Sequence, residues 1–213
     1  MREVFQQELR EVQTGLADIS ELVESAIQRG TQAFQTSDVA LAEAVIEDDL
    51  RIDALATSLD ELAITILARQ QPVARDLRII VSALRISASL ERMGDIAEHI
   101  AQLARYRFPD SVIPKGLGKI FREMGELDIA VAADVTRLLR TEDIVLIDEI
   151  RNRDDRIDEL HAKVFEKVLS DTFKGEVTNV VDATLASRYH ERFADHAVSI
   201  AKKVQYLTTG EYS

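Results

Sequence analysis

The chain repeats itself. LERMGDIAEHIA at positions 90–101 returns as HERFADHAVSIA at 190–201, agreeing at Glu91/Glu191, Arg92/Arg192, Asp95/Asp195, Ala97/Ala197, Ile100/Ile200 and Ala101/Ala201. Upstream, DLRID at 49–53 returns as DDRID at 154–158. The two offsets, 100 and 105 residues, differ by a length that a shorter inter-helix turn in the second copy is expected to absorb. A chain built this way has to fold as two copies of one unit.

Each unit reads as three long helices. Apolar residues recur at three- and four-residue steps with little alternation of period two, which is the signature of helix. Pro and Gly are few and act as punctuation: Pro72 between two helices, then Pro109, Pro114, Gly116 and Gly118 at the mid-chain junction. The expected helices cover 2–36, 37–69, 73–107, 117–140, 141–173 and 178–207, with Ser37 and Thr141 as caps and Gly210 as a stop. Helices of this length suit an all-α protein of antiparallel bundles. The division expected is a first three-helix repeat over 1–108, a linker over 109–116 and a second repeat over 117–213.

Composition excludes several functions. With no Cys there is no disulfide framework, thiolate zinc site or cysteine nucleophile. A net charge of −12 argues against sequence-independent binding to nucleic acid, which needs clustered Lys and Arg, and against adsorption to anionic lipid. The opening MREVFQQELREVQ is charged and helix-like rather than a signal peptide, and no uncharged apolar run of about 18 residues reads as a membrane span. A cytoplasmic protein is expected.

Part of the acidity is placed rather than spread. On the third helix Ile79, Ala83, Ile86, Leu90, Met93, Ala97, Ile100 and Ala104 trace an apolar stripe, and Glu91 and Asp95 stack one turn apart on another face. Glu98 extends that face, with Val198 at its place in the second copy. On the second helix Ile52, Leu55, Leu59, Leu62 and Ile66 are the expected core, flanked by Asp49 and Asp53. Asp154 with Asp158, and Glu191 with Asp195, repeat both pairs. If the two helices of a unit lie side by side, four carboxylates converge, and their repulsion favours a proton or a bound cation. All-oxygen ligands suit Mg²⁺, Ca²⁺, Mn²⁺ or iron. A single acidic pair on an acidic helix is ordinarily a solvated face; recurrence in both copies is what raises the metal reading.

The blocks LERMGDIAEHIA and HERFADHAVSIAKKVQYLTTGE, with RQQPVARDLR upstream of the first, resemble the PhoU family of phosphate-transport regulators over residues 2–211. The resemblance implies two three-helix bundles related by a pseudo-twofold axis. It further implies a cytoplasmic negative regulator of phosphate uptake and of the phosphate-starvation response, joining the ATPase subunit of the phosphate ABC transporter to a phosphate-sensing histidine kinase and forming homodimers or larger assemblies. Family members bind multinuclear metal clusters at acidic E(D)-x-x-x-D motifs. The matching positions are Asp49, Asp53, Glu91 and Asp95, and Asp154, Asp158, Glu191 and Asp195, for divalent or transition metal ions such as iron, manganese, magnesium or zinc. The sequence departs from the family at His99 and Ser199, where Asn is common, and at His190, where Leu or an aromatic is usual.

Other chemistry is thinner. His161 follows Asp158 at D-x-x-H spacing, similar to the E-x-x-H of di-iron bundles, but its first-copy counterpart is Ala56. A structural role suits His161 better, and His196 beside Asp195 reads as a surface pair. Arg75, Arg78, Arg92 and Arg192 invite a phosphate reading, yet Arg51, Arg92, Arg156 and Arg192 lie inside the acidic motifs, where ion pairs are the better expectation. No Gly-rich phosphate loop, nucleophile elbow or HExxH is present. The expectation is therefore a non-enzymatic adaptor. The alternatives are a carboxylate-bridged metalloenzyme, which wants Glu-x-x-His on two facing helices, and a purely structural helical module.

Overall fold

The computed structural model describes residues 2–210. Met1 and residues 211–213, the last of the expected second repeat, lie outside the described residues. Six helices follow one another: α1 (Arg2–Thr36), α2 (Val39–Gln70), α3 (Ala74–Arg107), α4 (Gly118–Thr141), α5 (Val145–Val168) and α6 (Val177–Thr209). No strand occurs among the described residues, and the fold is the repeated pair of three-helix bundles. No helix among them is long and apolar enough to cross a membrane.

Three helix boundaries move from their expected places, each for a local reason. Asp38, not Ser37, caps α2: its carboxylate accepts a hydrogen bond from the Leu41 N–H at 3.0 Å, while Ser37 takes positive φ. Thr141 closes α4 instead of opening α5, and the Asp143 carboxylate accepts from the Val145 N–H. Helix α5 stops at Val168, short of Phe173, because the Ser170 hydroxyl and the Phe173 N–H take up a turn around Lys167 and Ser170. The connection in the second copy (169–176) is thus longer, not shorter, than that in the first (71–73), and the length difference between the copies comes out of the helices. A Glu176–Asn179 capping box then starts α6, and Gly210 ends it in the left-handed conformation.

The halves are not separate cores. Helices α1, α3, α6 and α4 pack in a ring as a central four-helix bundle, with α1 on α4 and α3 on α6 joining the halves. Helix α2 lies outside against α1 and α3, and α5 outside against α4 and α6. One continuous apolar cluster draws on all six helices. The expected stripe of α3 is buried from Ala83 onward, as is its α6 counterpart. Leu55 is the exception: at 41% exposed it faces solvent, because α2 buries only the side that meets α1 and α3.

At one end of the ring Arg107 of α3 grips Asp182 of α6 with two parallel hydrogen bonds, Nε to Oδ2 at 2.6 Å and Nη2 to Oδ1 at 2.9 Å. His99 stacks on Tyr189 across the same α3–α6 seam, with ring centroids 5.2 Å apart. The acidic pairs sit on the outer flanks, between α2 and α3 and between α5 and α6.

Candidate metal centre

In the first half the close approach of α2 to α3 depends on Gly94. A Cβ there would lie 2.9 Å from Asp49 Oδ1 and 3.1 Å from Ile52. Without it, Asp49 is pressed against α3 beside Asp95. Carboxylate oxygens of Asp49, Asp53 and Asp95 all come within 4.8 Å of one another, the tightest such gathering among the described residues. Asp49 is only 8% exposed, and neither its Oδ1 nor Asp53 Oδ1 has a hydrogen-bond partner. Burial above all, then the Asp53, Glu98, Asp95 and Glu91 charges, pushes Asp49 up to about 7. A buried carboxylate without a donor is costly unless it holds a proton or a cation.

Glu91 stands one turn from Asp95 and lines a groove of about 340 Å³ with Asp53, Thr57, Asp60 and Ser87. Burial raises its pKa, against the pull of Arg92 and with Asp95 and Asp53 adding to the rise. Ser87 is 1% exposed and its hydroxyl has no partner, nor has Asp60 Oδ1. Asp60 and Ser87 escaped the sequence reading. Their signal was available, since Asp60 lies seven residues past Asp53 and Ser87 four before Glu91, both on the site's face.

The second half brings Asp154, Asp158, Glu191 and Asp195 to one flank but not so close: no trio among them meets within 4.8 Å. They still feel one another. Burial first, then Asp158, Asp195, Asp155 and Glu191, pushes Asp154 to about 6. Burial and then Asp195 raise Asp158; the same two raise Glu191, with Arg188 opposing. Asp154 Oδ1 and Glu191 Oε2 lack partners. The other oxygen of Glu191 is ion-paired with Arg188.

Of the remaining candidates, His161 and the arginines of the acidic motifs have structural partners. His161 Nδ1 lies 3.0 Å from the Ser187 hydroxyl, its ring meets Phe165 edge-on at 5.0 Å, and burial followed by Arg188 lowers its pKa. Half-buried His196 is lowered too, by burial and then Arg192. Arg92 bonds Asp95 at 2.6 Å and Arg192 bonds Asp195 at 3.0 Å, Arg51 pairs with Asp48, and Arg156 joins Glu123 and Glu159, as expected of ion pairs within the acidic motifs.

A family model described as the PhoU domain matches residues 16–104 and again 121–204. Among curated relatives, a phosphate-specific transport system accessory protein PhoU homolog 2 of Mycobacterium tuberculosis is 38% identical across the whole of both chains. A phosphate-specific transport system accessory protein PhoU homolog from Rhizobium meliloti is 30% identical over 97% of this chain and 87% of its own. Among solved structures, PhoU from Pseudomonas aeruginosa superposes with a TM-score of 0.86 at 28% identity, covering 97% of this chain and 100% of that one. The phosphate transport system regulatory protein PhoU from Streptococcus pneumoniae gives 0.85 at 23% identity, over 98% and 99%, a likeness of fold.

Proposed function

This chain belongs to the PhoU family, and from that footing we propose that it is a cytoplasmic, non-enzymatic negative regulator of phosphate uptake and of the phosphate-starvation response. It acts as an adaptor between the ATPase subunit of the phosphate ABC transporter and the phosphate-sensing histidine kinase, as a homodimer or larger assembly. The observation that carries the reading is the full-length similarity to a chain described as a phosphate-specific transport accessory protein. Deleting the gene tests it. In phosphate-rich medium the starvation genes should stay on and uptake should stay high; normal shut-off in the deletion strain contradicts it.

Metal belongs to this reading, at Asp49, Asp53, Glu91 and Asp95. The donor set fits: oxygens only, with the Asp49 and Asp53 Oδ1 atoms buried and unpartnered. A divalent cation there would supply positive charge on an otherwise anionic flank and a means of attracting phosphate without a basic pocket. Arg92, bonded to Asp95 and 3.8 Å from Glu91, holds both carboxylates in place. Chelation should then abolish phosphate binding, and binding unchanged by chelation contradicts a metal route. His161, engaged with Ser187 rather than with Asp158, favours the adaptor over a carboxylate-bridged enzyme.

A further inference from the structure

We propose that the two acidic flanks have diverged: the first holds a divalent cation, whereas the second is closed by its own side chains, with the Arg188 guanidinium standing where the cation would be. The proposal rests on the metal reading of the first flank and goes beyond it in making the repeats unequal.

Most substitutions between matched positions around the acids act in one direction. Ala88 becomes Arg188, which pairs with Glu191 and whose charge also acts on Asp158. Asp60 becomes Phe165 and Glu98 becomes Val198 while Leu50 becomes Asp155, so the second flank has one carboxylate fewer and gains the guanidinium at 188. Repulsion that favours a cation on the first flank is therefore reduced on the second.

The space is also filled. Ala56 becomes His161, which packs on Phe165 and engages the Ser187 hydroxyl. The counterpart, Ser87, is buried, unpartnered and lines the open groove of the first half. Gly94 becomes Ala194, which is fully buried. It carries the Cβ that in the first half would collide with Asp49. The α5 carboxylates are thus held off α6, and the trio seen in the first half does not form.

Mn²⁺ titration of the full-length, chelator-stripped protein, with bound metal counted by electron paramagnetic resonance, tests this. The wild type should bind tightly. Asp49→Asn/Asp95→Asn should lose that binding entirely, and Asp154→Asn/Asp195→Asn should keep it unchanged. Arg188→Ala/Ala194→Gly should add a second class of Mn²⁺ sites, removed again by Asp154→Asn/Asp195→Asn. Thermal melts establish that each variant folds, and the near-isosteric amides keep the test open where alanine would leave cavities. Loss of part of the Mn²⁺ in Asp154→Asn/Asp195→Asn, or no added sites in Arg188→Ala/Ala194→Gly, overturns the divergence alone. A wild type that binds no Mn²⁺ overturns the metal reading of the first flank and the proposal with it.

Discussion

His190 Nδ1 lies 2.6 Å from Asp128 Oδ2 in the middle of the four-helix ring, with both residues fully shut off from solvent. Phe34 and Phe121 flank the imidazole, each centroid 6.1 Å away. Burial, opposed by the His190 charge and hydrogen bond, pushes Asp128 up to about 6. Asp128 Oδ1 and His190 Nε2 have no partner, so the pair is isolated. The matched residues of the first repeat are apolar: Leu90 for His190 and Val23 for Asp128. The α1–α4 alignment is supported by Leu22/Leu127, Thr31/Thr136 and Thr36/Thr141. All four matched threonines also bond back to the carbonyl one turn earlier.

Asp128→Val or His190→Leu alone should cost about 3–5 kcal/mol, since each strands a buried polar partner. The double variant should recover most of that loss or exceed the wild type, because well-packed apolar pairs often replace buried ion pairs without penalty. Denaturant melts of the four proteins decide it. Additive losses in the double variant would show that the pair has no private coupling.

Gly94→Ala should displace Asp49 from the carboxylate trio through the 2.9 Å approach to its Oδ1. Mn²⁺ affinity should fall by about 10–100-fold, the usual penalty for disturbing the support of a ligand. Isothermal titration of the variant measures it. An affinity equal to wild type would mean that α2 shifts freely and that Gly94 does not set the site.

Asp49 binds its proton more tightly in the folded chain, at about 7 against an ordinary 3.8. Its contribution therefore favours the fold below about pH 4 and is lost as pH rises through about 7. Metal-free protein should lose melting temperature across that window, and Asp49→Asn should flatten the fall. Mn²⁺ needs the ionised carboxylate, so its binding should strengthen over the same rise in pH. A metal-free melting curve whose pH slope is the same in Asp49→Asn and wild type refutes this.

Arg107→Leu, which installs the second-half counterpart Leu207, should cost about 1–3 kcal/mol by leaving the Asp182 carboxylate buried without its donors. Asp182 is 4% exposed, so water cannot replace the guanidinium freely. Adding Asp182→Ser, the counterpart being Ser82, should restore part of the loss. Chemical denaturation reads both, and a neutral Arg107→Leu would show that this tie between the halves is dispensable.

Much of this architecture is legible in the sequence because it depends on spacing along one helix. The stripe running from Ala83 through Leu90 to Ala104 and the acidic pairs follow from steps of three and four, and the doubling follows from matched blocks. What stays hidden depends on distances between helices. Leu55 is apolar and in register with the core stripe, yet no helix lies over it. Equal acidic spacing in the two repeats conceals unequal sites, because a single Cβ at position 194 and a guanidinium at 188 act across the α5–α6 gap. The Ser37–Asp38 choice of cap was decided by backbone conformation, since either residue type serves.

Co-purification bears most directly on the adaptor reading. Tagged protein should retain the ATPase subunit of the phosphate transporter from cells grown in ample phosphate, in a defined ratio and in a form that restrains uptake. Failure of the two purified proteins to associate, with metal supplied and phosphate abundant, would contradict the account.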